Sequence, residues 1–155
     1  MILREFVNPL YSYVSGENSL SDPLMSKEHS VIDLGADFFT QGRVHPMINP
    51  QDRNERIRVE LQDERVKVLL LDVVLGYGSH ADPAGELSTV IGNGKQLFQG
   101  KGNYLSCVVF ICGTDNDIQN LAEQKKKLED CGAIVTDSST EAAYITGLIA
   151  TAGRG

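Results

Sequence analysis

The segment GYGSHADP, at residues 76–83, combines glycines with side chains that can do chemistry. His80 carries a titratable imidazole, Ser79 a hydroxyl and Asp82 a carboxylate. An ordinary turn from a strand to a helix, with Asp82 as N-cap, explains the same residues. A P-loop is excluded, since the closing Gly-Lys-Ser/Thr is absent. Glycines let the backbone approach a ligand closely, so the candidate ligand-binding residues here are Gly76, Gly78, Ser79, His80 and Asp82.

The segment CGTDNDIQ, at residues 112–119, is a second candidate. Gly113 and Thr114 offer an N–H and a hydroxyl to a phosphate at the N-terminus of a following helix. Asp115 and Asp117 would repel an anion unless a metal ion bridged them. Helix capping explains one of the two aspartates and leaves the other unexplained. We keep all four residues as ligand-binding candidates and predict no metal site.

The segment FFTQGRVHPMINP, at residues 38–50, is long for a connection between a strand and a helix, and long ordered loops are often functional. Arg43 and His45 offer donors to a carboxylate or a phosphate. Alternatively, the two X-Pro pairs of this loop only set its turns. The arginines that follow are predicted to form a solvated helix face paired with Glu55 and Glu60; they are Arg53, Arg56 and Arg58.

Asp72 lies within VKVLLLDVVLG, the most apolar stretch of the chain. A carboxylate there must lie near the exit of the strand or be hydrogen-bonded, since burying an unpaired charge costs on the order of several kcal/mol. No catalytic residue is assigned, and the best candidates are Asp72 and His80. Cys107 and Cys112 flank the next apolar stretch, LSCVVFIC, and are predicted to be buried small hydrophobes rather than nucleophiles.

Apolar stretches alternate with amphipathic ones, which predicts strands that alternate with helices. Strands joined through helices run parallel, and continuously apolar strands are covered on both faces. The predicted fold class is therefore α/β, with a three-layer, open, mostly parallel sheet in a domain over residues 30–155. Residues 1–29 are predicted to be an N-terminal extension, in which it is open whether residues 10–14 pair with the sheet. The predicted strands are residues 29–35, 66–76, 105–112 and 133–136.

Helix boundaries are marked by capping residues. An Asn-Pro pair at residues 49–50 and an Asp-Pro pair at residues 82–83 each suit an N-cap followed by the first helical residue. Asp115 or Asp117 is predicted to cap the helix that follows the second apolar stretch. Gly132 suits the left-handed position after that helix, and the pattern Ser-x-x-Glu at residues 138–141 is a capping box for the last one.

The charge of the chain excludes some partners. Its 155 residues include 14 basic and 21 acidic side chains, a formal net charge of −7, which argues against non-specific nucleic-acid binding and against a basic membrane surface. No apolar run approaches the roughly 20 residues of a membrane helix, and the first residues lack the pattern of a signal peptide. Three cysteines without metal-ligand spacing suit reduced thiols, so a cytoplasmic location is expected.

Longer strings in these segments resemble one family. HSVIDLGADFFTQGRVHPMINPQDRNERI, VLLLDVVLGYGSHADPAG and CGTDNDIQNLAEQKKKLEDCGAIVTDS are similar to the C-terminal part of FdrA-like proteins, in the superfamily of the succinyl-CoA synthetase α subunit. The resemblance covers about residues 9–150. It implies a flavodoxin-like CoA-ligase domain of the kind that contributes to an acyl-phosphate and CoA active site. FdrA-like proteins are associated with purine and allantoin breakdown. The resemblance therefore also implies a part in that breakdown, within a carbamoyl-transferase complex acting on oxalurate.

The chain departs from this family in two ways. Relatives in the superfamily carry a phosphohistidine in a Gly-His-Ala-Gly loop, and the matching loop here reads GTDNDIQ; a glutamate turn of the relatives is replaced by DVVLGYG. His80 lies in a different loop and inherits no phosphohistidine role. FdrA-like chains also open this region with a further strand and a Gly-Gly-Thr turn. The edge that such a strand would cover must be filled by residues 10–14, by a partner subunit or by a second copy.

Two functions follow as expectations. In the first, the chain is an acyl-CoA-synthetase-like ligase domain that binds a CoA-type or phosphorylated ligand, with CoA, ATP or ADP with Mg²⁺ as substrates and no tightly bound cofactor. In the second, it is a non-catalytic subunit or scaffold of a carbamoyl- or acyl-transfer complex. Either reading predicts a homo-oligomer or a partner subunit.

Overall fold

The computed structural model describes residues 2–13 and 18–152, in which six strands form two parallel sheets of three. In chain order, the strands are β1 (Leu10–Ser12), β2 (Asn18–Ser19), β3 (His29–Val31), β4 (Val68–Val74), β5 (Ser106–Cys112) and β6 (Ile134–Thr136). The helices are α1 (Asp37–Thr40), α2 (Gln51–Glu60), α3 (Pro83–Gly100), α4 (Leu121–Asp130) and α5 (Ser139–Thr151), after a 3-10 turn at Ile2–Glu5.

The larger sheet has the strand order β4-β5-β6. Val68 pairs with Ser106 and Val74 with Cys112, so β4 and β5 are in register over their whole length. Val109 and its neighbours at alternate positions of β5 join α3 and α4 in the main core, and α5 contacts β4, β5 and β6 on the other face. Coverage on both faces explains why β5 is continuously apolar.

The smaller sheet has the order β2-β1-β3, with Leu10 paired to His29 and Ser12 to Val31. Residues 10–12 are thus a strand that covers one edge of β3; Val14, the end of the segment left open by the sequence, lies outside the described residues. β3 ends at Val31, earlier than predicted, since the N–H of Gly35 turns back to Asp33 Oδ1 at 2.8 Å.

The α/β class, the parallel strands and the helices on both faces are confirmed. The predicted strands nevertheless fall into two sheets, because β3 pairs with β1 and no described strand pairs with the outer edge of β4. Leu3, Val7 and Leu10 form a small second core under the smaller sheet, and Ala143 and Ala150 of α5 pack against it. Helix α5 therefore lies against both sheets.

The helix caps follow the sequence with two exceptions. Helix α2 begins at Gln51, so Pro50 rather than Asn49 stands at its N-cap position, although Asn49 Oδ1 accepts from the N–H of Gln51 at 3.1 Å. Asp82 caps α3 by accepting from the N–H of Gly85, and Ser138 caps α5 by accepting from the N–H of Glu141. Gly132 has a φ of +79° directly after α4, as the left-handed position requires. The cap of α4, however, is Asn120, whose side chain accepts from the N–H of Glu123.

None of the helices in the described ranges has the length and apolar character that crossing a bilayer requires.

Candidate functional site

The connections that follow β4 and β5 lie side by side at the carboxyl ends of these strands. A Cβ built on Gly76 would stand 3.8 Å from Asp117 Oδ1, so the candidate segments at residues 76–83 and 112–119 meet. The loop before α2 joins them, because the N–H of His80 donates to the carbonyl of Met47 at 2.9 Å. In open α/β sheets this edge is where ligands bind.

Gln119 holds the 76–83 loop in place, a role that the sequence analysis did not predict. Its Oε1 accepts from the N–H of Gly76 at 3.1 Å, and its Nε2 donates to the carbonyls of Gly76 and His80 at 3.0 and 3.1 Å. The side chain is buried, at 4% exposure. A lone glutamine in a polar loop carries no motif, so only the three-dimensional contacts show this role.

Asp82 connects α3 to α4. Its Oδ1 accepts from the N–H of Gly85 at 3.1 Å, from Gln124 Nε2 at 2.9 Å and from Lys127 Nζ at 2.8 Å. Partial burial acts to raise the pKa of Asp82, but these hydrogen bonds outweigh it and hold the pKa below its ordinary value. The carboxylate therefore occupies the N-terminus of α3, the place where a helix would receive an external anion.

Several backbone donors of the 76–83 loop are already used. The N–H of Ser79 donates to the carbonyl of Gly76, and the N–H of Asp82 to His80 Nδ1 at 3.1 Å. Within the described residues, the amides of Tyr77 and Gly78 have no such acceptor, and the Tyr77 side chain is fully exposed. The donors left for a ligand are thus at the tip of the loop.

The two candidate histidines are fixed in the same way. His80 Nδ1 accepts from Asp82, and His45 Nδ1 accepts from the N–H of Met47 at 3.1 Å. An acceptor Nδ1 places the proton of a neutral imidazole on Nε2, so each ring presents an N–H donor. His80 is half-buried, and His45 is exposed beside Gly35.

Both aspartates of the second loop have structural partners, which corrects the expectation that one of them is unexplained. Asp117 Oδ2 accepts from the N–H and the hydroxyl of Thr114 at 2.6 and 3.2 Å. Asp115 Oδ1 accepts from the N–H of Ala122 in the first turn of α4 at 3.2 Å.

The other features of this loop are also structural. A Cβ on Gly113 would lie 2.7 Å from Leu75 Cβ, so this glycine is required by close packing. No cluster of metal-binding side chains occurs in the described part of the chain.

Arg43 is not brought to the 76–83 and 112–119 loops but lines a cavity formed mainly by its own loop and α2. Its Nη1 contacts Asp52 Oδ2 at 3.3 Å, and both side chains are at least half exposed. The cavity, of about 250 Å³, has apolar walls with charged residues at the rim; its lining includes Leu24, Leu34, Phe39, Pro46 and Val59.

Among the candidates on the strands, Asp72 and Cys112 are exposed, and Cys107 is buried. Asp72 is exposed on β4, because β4 is an edge strand, and its carboxylate needs no buried partner. Cys107 is buried, which raises the pKa of its thiol to about 12, whereas Cys112 is exposed at the end of β5. The expectation that both cysteines are buried is therefore wrong for Cys112.

Two of the three arginines on α2 depart from the predicted solvated face. Arg58 is exposed and pairs with Glu55 at 3.2 Å, as expected. Arg56 makes the expected pair with Glu60 at 2.6 Å, but its side chain is only 12% exposed and also donates to the carbonyl of Pro23. Arg53 makes neither pair: its Nη1 donates to the carbonyl of Asp72 at 3.4 Å, and its Nε and Nη2 are buried without a partner among the described residues. The period of the helix turns this side chain away from solvent and toward β4.

Two comparisons with known proteins bear on this site. The family model described as CoA-ligase matches residues 7–149. The uncharacterized protein YahF of Escherichia coli (strain K12) is 40% identical over 134 residues, which is 86% of this chain and 25% of that protein. The chain thus spans a quarter of the length of this curated relative.

Proposed function

Because the chain belongs to the CoA-ligase family, we propose that it is an acyl-CoA-synthetase-like ligase domain of the FdrA type, which binds a CoA, nucleotide or acyl-phosphate ligand at the carboxyl ends of β4 and β5. CoA, ADP and ATP with Mg²⁺ enter this proposal as substrates rather than as tightly bound cofactors. A cytoplasmic location is part of it, and three cysteines without disulfides fit that compartment.

One observation carries the proposal: the loops after β4 and β5 are fixed to each other while their outer donors stay available. Gln119 holds the 76–83 loop from below, so the backbone there is preorganised before a ligand arrives. The available donors are His80 Nε2 and the amides of Tyr77 and Gly78. They suit the binding of a small anionic group rather than of a ligand enclosed in a large pocket. Arg43, on the loop before α2, is included in the proposal as a further cationic donor, although in the structure it contacts Asp52.

A phosphoryl-enzyme step is not assigned to this chain. The loop after β5 reads GTDNDIQ and contains no histidine, and His45 and His80 lie on other loops. The proposed role is therefore the binding and orientation of a ligand whose phosphate is already transferred, with His80 as hydrogen-bond donor to it.

The test is a thermal-shift panel on the purified chain with CoA, ADP, ATP with Mg²⁺, acetyl phosphate and carbamoyl phosphate. A ligand at one hundred times its dissociation constant stabilises the fold by about 2.7 kcal/mol. We expect at least one ligand to raise the melting temperature, and His80→Ala combined with Arg43→Ala to reduce that shift. The control is Lys126→Ala, which removes an exposed pair with Asp130 away from these loops. An unchanged affinity in the double variant would contradict the assigned donors.

A second function is favoured by one specific observation, which is that the carboxylate of Asp82 already occupies the N-terminus of α3. In this alternative the chain is a non-catalytic subunit of a carbamoyl- or acyl-transfer complex in purine or allantoin breakdown. Its relative YahF is about four times longer than the matched region, which leaves room for partner domains there. A sharp melt that no ligand moves, together with a stoichiometric partner in affinity purification, would favour this alternative.

A further inference from the structure

Arg53 is, among the described residues, the basic side chain with buried donor atoms that lack a hydrogen-bond partner. Its guanidinium has three nitrogens, of which Nη1 donates to the carbonyl of Asp72 at 3.4 Å. The other two, Nε and Nη2, are buried and have no partner among the described residues. Buried donors without acceptors are uncommon in native proteins and call for an explanation.

The two unpaired atoms form one side of the guanidinium. Nε–H and Nη2–H point in nearly the same direction, and this pair is the side-on fork with which an arginine binds two oxygens of a carboxylate or a phosphate. The contact with Asp72 uses the opposite side of the group. Arg53 is therefore anchored on one side and keeps a complete bidentate donor on the other.

The strand geometry places the carbonyl of Asp72, to which Arg53 donates, at an edge of β4 that no described strand covers. Lys67 accepts from β5 through its carbonyl, and Leu75 donates to β5 through its N–H, so alternate residues of β4 face β5. Asp72 is an odd number of residues from both, and its carbonyl faces the other way. No described strand pairs with this edge, and Arg53 of α2 reaches it from the side of α3.

The position fits the ligand edge of the sheet. Asp72 lies in the carboxyl half of β4, shortly before the 76–83 loop. Open α/β sheets bind ligands beyond the carboxyl ends of their strands. Arg53 as a whole keeps intermediate exposure, so the side chain is not enclosed along its whole length although Nε and Nη2 are buried.

Two carboxylates shape the charge around the fork. Burial lowers the pKa of Arg53, and Asp72 and Glu86 act in the opposite direction. Both acidic side chains are exposed, and no hydrogen bond joins either carboxylate to the fork. They oppose the effect of burial on the guanidinium without using its donors, and solvent weakens but does not remove their repulsion of a second anion.

We propose that Arg53 is an oxyanion-binding residue of this domain, and that its Nε and Nη2 receive two oxygens of a carboxylate or phosphoryl group of the ligand at the open edge of β4. This inference rests on the proposed function, since it names a residue that binds the same ligand. Neither the sequence motifs nor the comparisons assign a role to Arg53.

The test measures dissociation constants by titration calorimetry with acetyl phosphate, inorganic phosphate and acetate. We expect Arg53→Gln to bind acetyl phosphate at least tenfold more weakly than the wild type, and Arg53→Lys to be intermediate because it keeps the charge and loses the fork. Glu86→Gln removes a repelling charge and should bind two- to fivefold more tightly. The matched control is Arg58→Gln, on the same helix but exposed and paired with Glu55, which should stay within twofold.

The probes also separate the two sources of oxyanion. Tighter binding of inorganic phosphate than of acetate assigns the fork to the phosphoryl group, and the reverse order assigns it to the carboxylate. Binding of acetyl phosphate by Arg53→Gln within threefold of the wild type would overturn the inference and leave the proposed function standing. Wild-type affinity in Arg53→Lys would overturn the fork as the recognition element. If no oxyanion binds the wild type, the inference fails, and a remaining shift with CoA or ADP shows that the proposed function survives it.

Discussion

The carboxylate of Asp82 and the ammonium group of Lys127 meet at 2.8 Å, although 45 positions separate them in the chain. This contact fixes the start of α3 to the middle of α4, and Gln124 adds a second hydrogen bond from the same helix. The two helices that form one layer of the domain are thereby joined next to the candidate site.

Replacement of Asp82 by Asn should make the stability of the domain less sensitive to acid. The folded-state pKa of Asp82 is depressed, so its carboxylate stabilises the fold above the unfolded pKa of about 3.9 and loses this effect as the pH falls through the folded value. We expect urea midpoints of the wild type and of Asp82→Asn to differ near neutral pH and to converge below about pH 4.

The control for this experiment is Asp130→Asn, which removes an exposed i,i+4 pair with Lys126. Pairs of this kind contribute about 0.3–0.5 kcal/mol, so the control should stay close to the wild type at every pH. A constant difference between the wild type and Asp82→Asn across the acid range would show that the charge of Asp82 is not what joins the helices.

Gln119→Ala should destabilise the fold and loosen the 76–83 loop. The substitution leaves the N–H of Gly76 and the carbonyl of His80 without their partner, whereas the carbonyl of Gly76 keeps the N–H of Ser79. Each unsatisfied buried group costs about 1–3 kcal/mol, and these part-buried groups should lie toward the lower end. Urea unfolding measures the stability, and limited proteolysis measures cleavage within the loop. Gln62→Ala is the matched control, because Gln62 makes one exposed bond to the carbonyl of Arg58. Equal proteolysis of the two variants would argue that Gln119 does not hold the loop.

The three thiols should react with a disulfide reagent at clearly different rates. Cys112 is exposed, whereas burial raises the pKa of Cys107 to about 12 and also raises that of Cys131. Since the thiolate is the reactive form, we expect Cys112 to be labelled first in the folded protein and Cys107 only after denaturation. Mass spectrometry of digested samples taken over time identifies the order. Early labelling of Cys107 would mean that β5 opens to solvent more readily than the structure implies.

Alanine at two glycines should have opposite effects on stability. A Cβ at Gly113 would overlap Leu75, with its Cβ at 2.7 Å and Cγ at 2.8 Å, and such overpacking costs about 1–3 kcal/mol. Gly92 lies inside α3 with nothing within 4 Å of the added atom, so Gly92→Ala should stabilise by about 0.5–1 kcal/mol through the higher helix propensity of alanine. Thermal unfolding compares the two, and destabilisation by Gly92→Ala would reveal a contact that the structure does not show.

Local patterns predicted the elements with strong periodicity. Apolar runs predicted the strands β4 and β5, and an Asp-Pro pair predicted the start of α3. Both are local sequence patterns, because buried strands need apolar residues and helices favour an N-cap followed by proline. The division into two sheets was not predictable in this way. It depends on which edge β1 pairs with, and three residues of strand contain too little pattern to decide that.

The candidate site was predicted as segments but not as contacts. Glycines and polar residues after β4 marked the right loops, whereas Gln119 and Arg53 were missed or misassigned. Both act through long-range contacts, to Gly76 and to Asp72, and neither belongs to a local motif. One of Asp115 and Asp117 was left without a structural explanation, because residue types alone do not show their backbone partners. These partners are the N–H of Thr114 for Asp117 and the N–H of Ala122 for Asp115.

Helix α5 packs against the turn at Ile2–Glu5 and against β4, β5 and β6. The small core under β1 and β3 therefore combines Leu3, Val7 and Leu10 with Ala143 and Ala150, which stand more than a hundred positions later in the sequence. Contacts of such long sequence separation close a large loop and form slowly. During synthesis β1 and β3 leave the ribosome before α5, so the small core beneath them cannot be completed until that helix has emerged.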